Sequence, residues 1–419
     1  MVLVRRGNVA AEWRARRAGT LAPTLLLASS LVSSSAEAHE RFVKHRLKTP
    51  LHDEFFLQGP GLMGIHPDLL RIATTVFTIL VALMLLWYLR EPIGETVERR
   101  IVRRLGGGAQ QIVHQLAGFL TDKPVRARWF QVLREWCVIL FLRSPGLVLM
   151  YSATNDSLVM PSYPLDPASA EIFKFIQVGL AILILTQTAL PLCGAMIIGT
   201  WIYLFRWGWM VAIDAMPVLT VAVIYVTSPW QSHKLAITDI NEKQMRWLRF
   251  TLGIGFWALG WLKLYNHDLI AGVADSYPNV MNDPMVRLLK VGTSPDWPRE
   301  TWVAAFGLAE VMTGFFVVVG VFSRVWTLIM AFVFTKLMLV DFGWHEIPHI
   351  YPIAALLAVM SSNKLTSEFE RIERIEERLG RSGKSLKQAL TILGASVVVA
   401  FLVVFPMLYA TTFLDRSNL

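Results

Sequence analysis

The chain has 419 residues, of which 54% are apolar and only 17% charged, and its mean hydropathy is +0.48. Those values exclude an ordinary soluble domain and predict a membrane protein. The formal charge of +9 reads as topology rather than as a nucleic-acid footprint, because lysine and arginine collect in cytoplasmic loops.

Residues 1–38 carry arginines at 5, 6, 14, 16 and 17, an apolar run from Ala22 to Val32, and then Ala36-Glu37-Ala38. This is the pattern of a signal peptide with a small-x-small cleavage site. Cleavage there makes His39 the first residue of an arm spanning 39–68, which also holds His45 and His52. A free α-amine beside an imidazole chelates copper, so His39, His45 and His52 are candidate metal ligands.

Apolar runs near 69–89, 135–153, 172–191, 193–206, 209–227, 248–266, 302–322, 325–340, 348–361 and 388–412 follow. Measured against the ~20 residues that a bilayer crossing needs, they predict about ten transmembrane helices in an all-α polytopic membrane protein. Arginines and lysines crowd 90–134 and 362–387, whereas 154–170 and 341–347 have none. The positive-inside pattern therefore puts the N-terminal arm and 341–347 in the periplasm of an inner-membrane protein, with the basic segments, read as solvated or interfacial helices, in the cytoplasm. Cys137 and Cys193 sit singly in separate apolar segments, which suits packing rather than a redox pair.

The residues Asp341 to Pro352 place two carboxylates and two histidines between two apolar runs, where ionisable groups are costly and mark function. Trp207-Gly208-Trp209, Asp214 and Pro217 repeat the spacing of Phe342-Gly343-Trp344, His349 and Pro352. Ser162-Tyr163-Pro164 recurs as Ser276-Tyr277-Pro278, and Gly179-Leu180-Ala181 as Gly307-Leu308-Ala309. The order of these matches predicts two four-helix units in tandem, 134–228 and 247–362. A helix with a basic segment (69–133), a charged segment (363–387) and a last helix (388–419) flank them.

The second unit carries Arg249-Phe250, Gly260-Trp261-Leu262-Lys263, Glu310 in Gly307-Leu308-Ala309-Glu310, and Gly320-Val321-Phe322-Ser323-Arg324. In these it resembles the DoxX family, or DoxX-like and DoxD-like four-helix membrane proteins. The first unit departs from the pattern, with Ile182 in place of Glu310. The resemblance implies a fold, and an association with quinone-linked oxidoreduction and with membrane complexes that handle redox or thiol stress.

Glu310, Lys263, Lys336 and His349 then stand as candidate catalytic residues, all in one half of the membrane, with Lys263 or Lys336 balancing the acid. Asp341, His345 and Glu346 are candidate ligand-binding residues, and His345 and His349 candidate metal ligands. His345-Glu346-Ile347-Pro348-His349 spells the zinc-protease signature, but Pro348 belongs in a first helical turn, which leaves His345 outside the helix. Two readings follow. One is a subunit of a quinone-linked or other redox system, working with membrane lipids and with other membrane or periplasmic redox proteins and not with nucleic acid. The other is a copper-binding or copper-delivery protein loaded at His39, with a transporter built from the two units as a third.

Overall fold

The computed structural model describes residues 106–155, 167–205, 215–228, 240–265, 301–336 and 349–368, with isolated positions elsewhere. The elements among them are α-helices: α1 (Gly107–Leu120), α2 (Arg128–Thr154), α3 (Pro167–Thr186), α4 (Leu190–Leu204), α5 (Met216–Val226), α6 (Glu242–Tyr265), α7 (Thr301–Val319), α8 (Ser323–Lys336) and α9 (Ile350–Ser361).

The helices other than α1, which lies in the basic segment, overlap the apolar runs, but the expectation of about ten membrane-crossing helices is overturned. Among the described residues only α2, with 27 residues, is long and apolar enough to cross a membrane. The helices α4, α5, α8 and α9 have 15, 11, 14 and 12 residues. At 1.5 Å per residue they cover roughly 17–23 Å, short of a ~30 Å hydrocarbon core. The longer α3 and α6 contain charges, Glu171 and Lys174 in one and Glu242, Lys243, Arg246, Arg249 and Lys263 in the other. Apolar sequence reports burial, and protein buries as well as lipid does: 61% of the apolar window of α2 is buried inside the bundle. The segments 1–38, 69–89 and 388–412 lie outside the described residues.

Proline punctuates these helices in two ways. Pro191, Pro217 and Pro352 stand in the first turns of α4, α5 and α9, where a missing N–H costs nothing. Pro145 lies inside α2 and deprives the Phe141 carbonyl of its helical donor. The Ser144 hydroxyl donates to that carbonyl at 3.0 Å, and the Tyr225 hydroxyl of α5 donates to the next one, Leu142 O. The carbonyl orphaned by Pro145 is thereby served from within α2, and the next one receives a donor from α5.

The main core of the described residues runs from Val138, Phe141 and Leu142 on α2 to Leu356, Ala358 and Val359 on α9, with smaller apolar clusters beside it. The packing is reciprocal. Within 134–228, α2 packs on α3 and α4 on α5; within 247–362, α6 packs on α7 and α8 on α9. The last helix of each group lies on the first helix of the other, α9 on α2 and α5 on α6. At the starts of α5 and α9 the Tyr351 hydroxyl donates to Pro217 O, and its ring stacks on Phe141 at 5.9 Å.

The α6–α7 seam is the closest of these contacts. A Cβ on Gly253 would meet Gly314 O at 2.7 Å, and one on Gly260 would meet Gly307 O and the Val311 amide. The pairs 253/314 and 260/307 are spaced seven residues apart on antiparallel helices, so small residues fall on one face of each and let the backbones touch.

Candidate functional site

Among the described residues, two clusters of buried charged side chains lie near opposite ends of α6. At its start, two arginines are completely buried. Arg249 donates to Val317 O and Val318 O at the end of α7 and to Thr366 O beyond α9. Arg324 donates to Gly118 O, Lys123 O and Ser362 O, and lies 5.3 Å from the Phe130 ring. Carbonyls at helix C-termini lack intrahelical donors, and a guanidinium with five N–H groups can satisfy several at once. Both arginines therefore tie helix ends together, a role that the sequence reading, which used them as elements of the family resemblance, missed. Asp122 completes this end by accepting the backbone N–H groups of Ser323 (2.6 Å) and Arg324 (3.0 Å) at the start of α8. Burial pushes its carboxyl above the usual carboxylate range, and those N–H bonds and the nearby Arg324 oppose the shift.

The other end of α6 holds the candidate site. The Lys263 ammonium lies 2.5 Å from Glu310 Oε1, with the lysine 18% and the glutamate 1% exposed. Helical side chains tilt toward their own N-terminus. Because α6 and α7 are antiparallel, Lys263 near the end of α6 leans down and Glu310 in the middle of α7 leans up, and the two meet at about the level of the Gly260–Gly307 contact. Glu310 stands nine residues after Thr301, on the order of 13 Å along its helix.

An aromatic chain leads away from the pair. The Lys263 ammonium lies 4.7 Å from the Phe306 ring centroid. Phe306 packs edge-on to Phe334 at 5.6 Å, and Phe334 stacks on the His349 imidazole at 5.3 Å and 27°. Phe256 closes the cluster against Phe334 at 5.5 Å. Three of the four candidate catalytic residues, Lys263, Glu310 and His349, are thus joined through one polar–aromatic patch. Lys336 is half-buried in the last turn of α8, and Lys263 is the lysine paired with Glu310 among the described residues. The phenylalanines were not anticipated; the available signal was Phe306 four residues before Glu310, on the same helical face.

The helix after the zinc-protease-like stretch begins at Ile350, with His349 just before it in a helical conformation (φ −66°, ψ −10°). Asp341, His345 and Glu346, and the arm with His39, His45 and His52, lie outside the described residues, as does Asp214. Among the described residues no group of three or more His, Cys, Asp or Glu side chains is placed to hold a metal. Both cysteines are free and buried, one on α2 and one on α4. Chemically, the patch offers a charge-assisted donor, a buried carboxylate that can hold or release a proton, and flat aromatic faces. No protein-family model, curated protein or solved structure matches the chain.

Proposed function

We propose that the chain is an inner-membrane, DoxX-like accessory of a quinone-linked redox system, and that Lys263, Glu310 and His349 form its headgroup site on the periplasmic side. The observation that carries this reading is the Lys263–Glu310 ion pair, buried between α6 and α7 and flanked by Phe306, Phe334 and His349. A buried ion pair costs desolvation that packed hydrophobic residues avoid, so its placement beside aromatic rings favours a site. Its parts suit a planar headgroup with carbonyl oxygens. The ammonium donates to a carbonyl, the carboxylate exchanges protons, and the rings stack on the plane.

The membrane setting is supported by α2 and by exposed apolar side chains on several helices, among them Ile172 and Phe175 on α3 and Leu328 and Phe332 on α8. Clustered apolar surfaces of this kind mark membrane or protein contact sites. The alternating charge of the segments supports the orientation, with the arginine-tied end in the cytoplasm. In the proposed cycle quinone gains two electrons and two protons. The electrons come from a partner redox protein, and Lys263 and Glu310 hold the headgroup and carry protons.

The test is binding of a soluble short-chain quinone to the purified protein and to Glu310→Gln and His349→Ala, each normalised to folded material. Both substitutions should weaken binding about tenfold or more, the scale of one charge-assisted contact in a desolvated site. Equal binding by all three proteins would remove the proposal.

A further inference from the structure

We infer that α1 and the first turns of α2 form a surface that binds the headgroups of an anionic lipid leaflet. The inference rests on the membrane reading above but concerns the opposite end of the bundle. The α1 sequence, GGAQQIVHQLAGFL, contains no lysine, arginine, aspartate or glutamate. Its residues Ile112, Leu116 and Leu120, spaced i, i+4 and i+8, share one face, and on α2 Trp129, Val132 and Trp136 form a second stripe at i, i+3 and i+7. All six are between 43% and 67% exposed. Between the stripes the connecting turn presents Lys123, Arg126 and Arg128, all exposed. From Gly106 to Trp136 the acidic residues are Asp122, which is buried and spent on the start of α8, and Glu135, which is exposed on the second stripe beside Trp136. The exposed charge of this stretch is therefore mainly positive, with Lys123, Arg126 and Arg128 against Glu135.

This surface cannot turn away to hide its apolar side chains, because it is pinned from beneath. Arg324 holds Gly118 O and Lys123 O, and Asn363 makes two hydrogen bonds to the Val125 backbone. An apolar stripe, exposed tryptophans and neighbouring lysine and arginine match the chemistry of a leaflet boundary, with hydrocarbon below and phosphate above. Anionic lipid completes the match, since each basic residue near such a surface contributes attraction. A protein partner would need an acidic rim around an apolar groove.

The experiment places an environment-sensitive fluorophore on Leu116→Cys in the full chain, which leaves the buried Cys137 and Cys193 unlabelled. The protein is reconstituted in nanodiscs of phosphatidylcholine alone or with a quarter phosphatidylglycerol. The label should be more strongly shifted toward an apolar environment in the anionic discs. Replacing Lys123, Arg126 and Arg128 by glutamine should reduce the ratio of inserted to water-exposed label about fivefold per charge removed. A shift that is equal in both lipids and indifferent to the glutamines overturns the inference, and so does a water-like signal in both lipids, the result expected if the stripe serves a protein. Failure of the unlabelled protein to enter either disc overturns the membrane reading itself, and this inference with it.

Discussion

Arg249 occupies the space next to Gly320 that any side chain at 320 would need: a Cβ built there collides with the guanidinium. The same glycine has φ +78°, in the left-handed region that side chains avoid. Residue 320 is therefore constrained twice, by its own backbone and by an arginine 71 positions earlier. Gly320→Ala should cost about 1–2 kcal/mol for the backbone alone, and more as Arg249 is pushed off Val317 O and Val318 O. Thermal denaturation of the purified protein checks this, and a midpoint equal to the parent's would show that the turn can relax around both.

Asp122 should reveal its burial through pH. Its folded pKa is raised, so the folded chain keeps this proton to higher pH than the unfolded chain does. The stability it contributes is fully present below the ordinary value of 3.8 and is lost as pH rises through the folded value. Asp122→Asn should flatten that fall, because the amide does not titrate, and φ 58° suits asparagine. Asp122→Ala should be the less stable of the two variants at neutral pH, since it leaves two N–H groups at the start of α8 without their acceptor. Parallel pH-dependent slopes for the parent and Asp122→Asn would assign the titration elsewhere.

The Lys263–Glu310 pair is tested by breaking it singly and together. Lys263→Met alone takes the ammonium away from a buried carboxylate and should destabilise by up to about 3–5 kcal/mol, while Lys263→Met combined with Glu310→Leu should recover most of that loss. Recovery of stability without recovery of quinone binding is the expected pattern. If binding returns in the double variant, the pair only holds α6 to α7.

The seam between those helices leaves no room. Gly314→Ala brings a Cβ against the Trp257 amide and Gly253 O, and should cost about 1–3 kcal/mol in the manner of an overpacked core. Gly199→Ala, whose Cβ has nothing within 4 Å, is the matched control on α4. Equal losses in the two variants would contradict the close approach.

A smaller effect is expected at the Pro145 break. Tyr225→Phe removes the hydroxyl that serves Leu142 O, and the loss should be about 1 kcal/mol, read as a modest drop in melting temperature with the fold unchanged. No drop at all would mean that the carbonyl has another donor.

Much of the architecture was legible because helix limits are written locally. Apolar runs, first-turn prolines at 191, 217 and 352, and the Gly320 turn mark where helices start and stop without reference to anything distant. Glu310 stood out for the same reason, as an acid within an apolar run. The choice of Lys263 over Lys336 as its partner was not legible, because it depends on the antiparallel seam and the opposed tilt of two side chains. Nor was the number of crossing helices: hydropathy is the same for a residue that faces lipid and for one that faces Val138 or Leu356.

The sequence by itself therefore determined that the described chain is helical, where its helices lie, and which ionisable residues stand out against an apolar background. Each of these depends on neighbours within a few turns. Only the tertiary structure decided that Arg249 and Arg324 are buried ties between helix ends, that Asp122 serves a helix 201 residues away, and that His349 meets Glu310's neighbourhood through Phe334 and Phe306. Those relations join residues far apart in the chain, where a buried charge or carbonyl takes whichever partner the packed helices bring within hydrogen-bonding distance, and no local pattern records that choice.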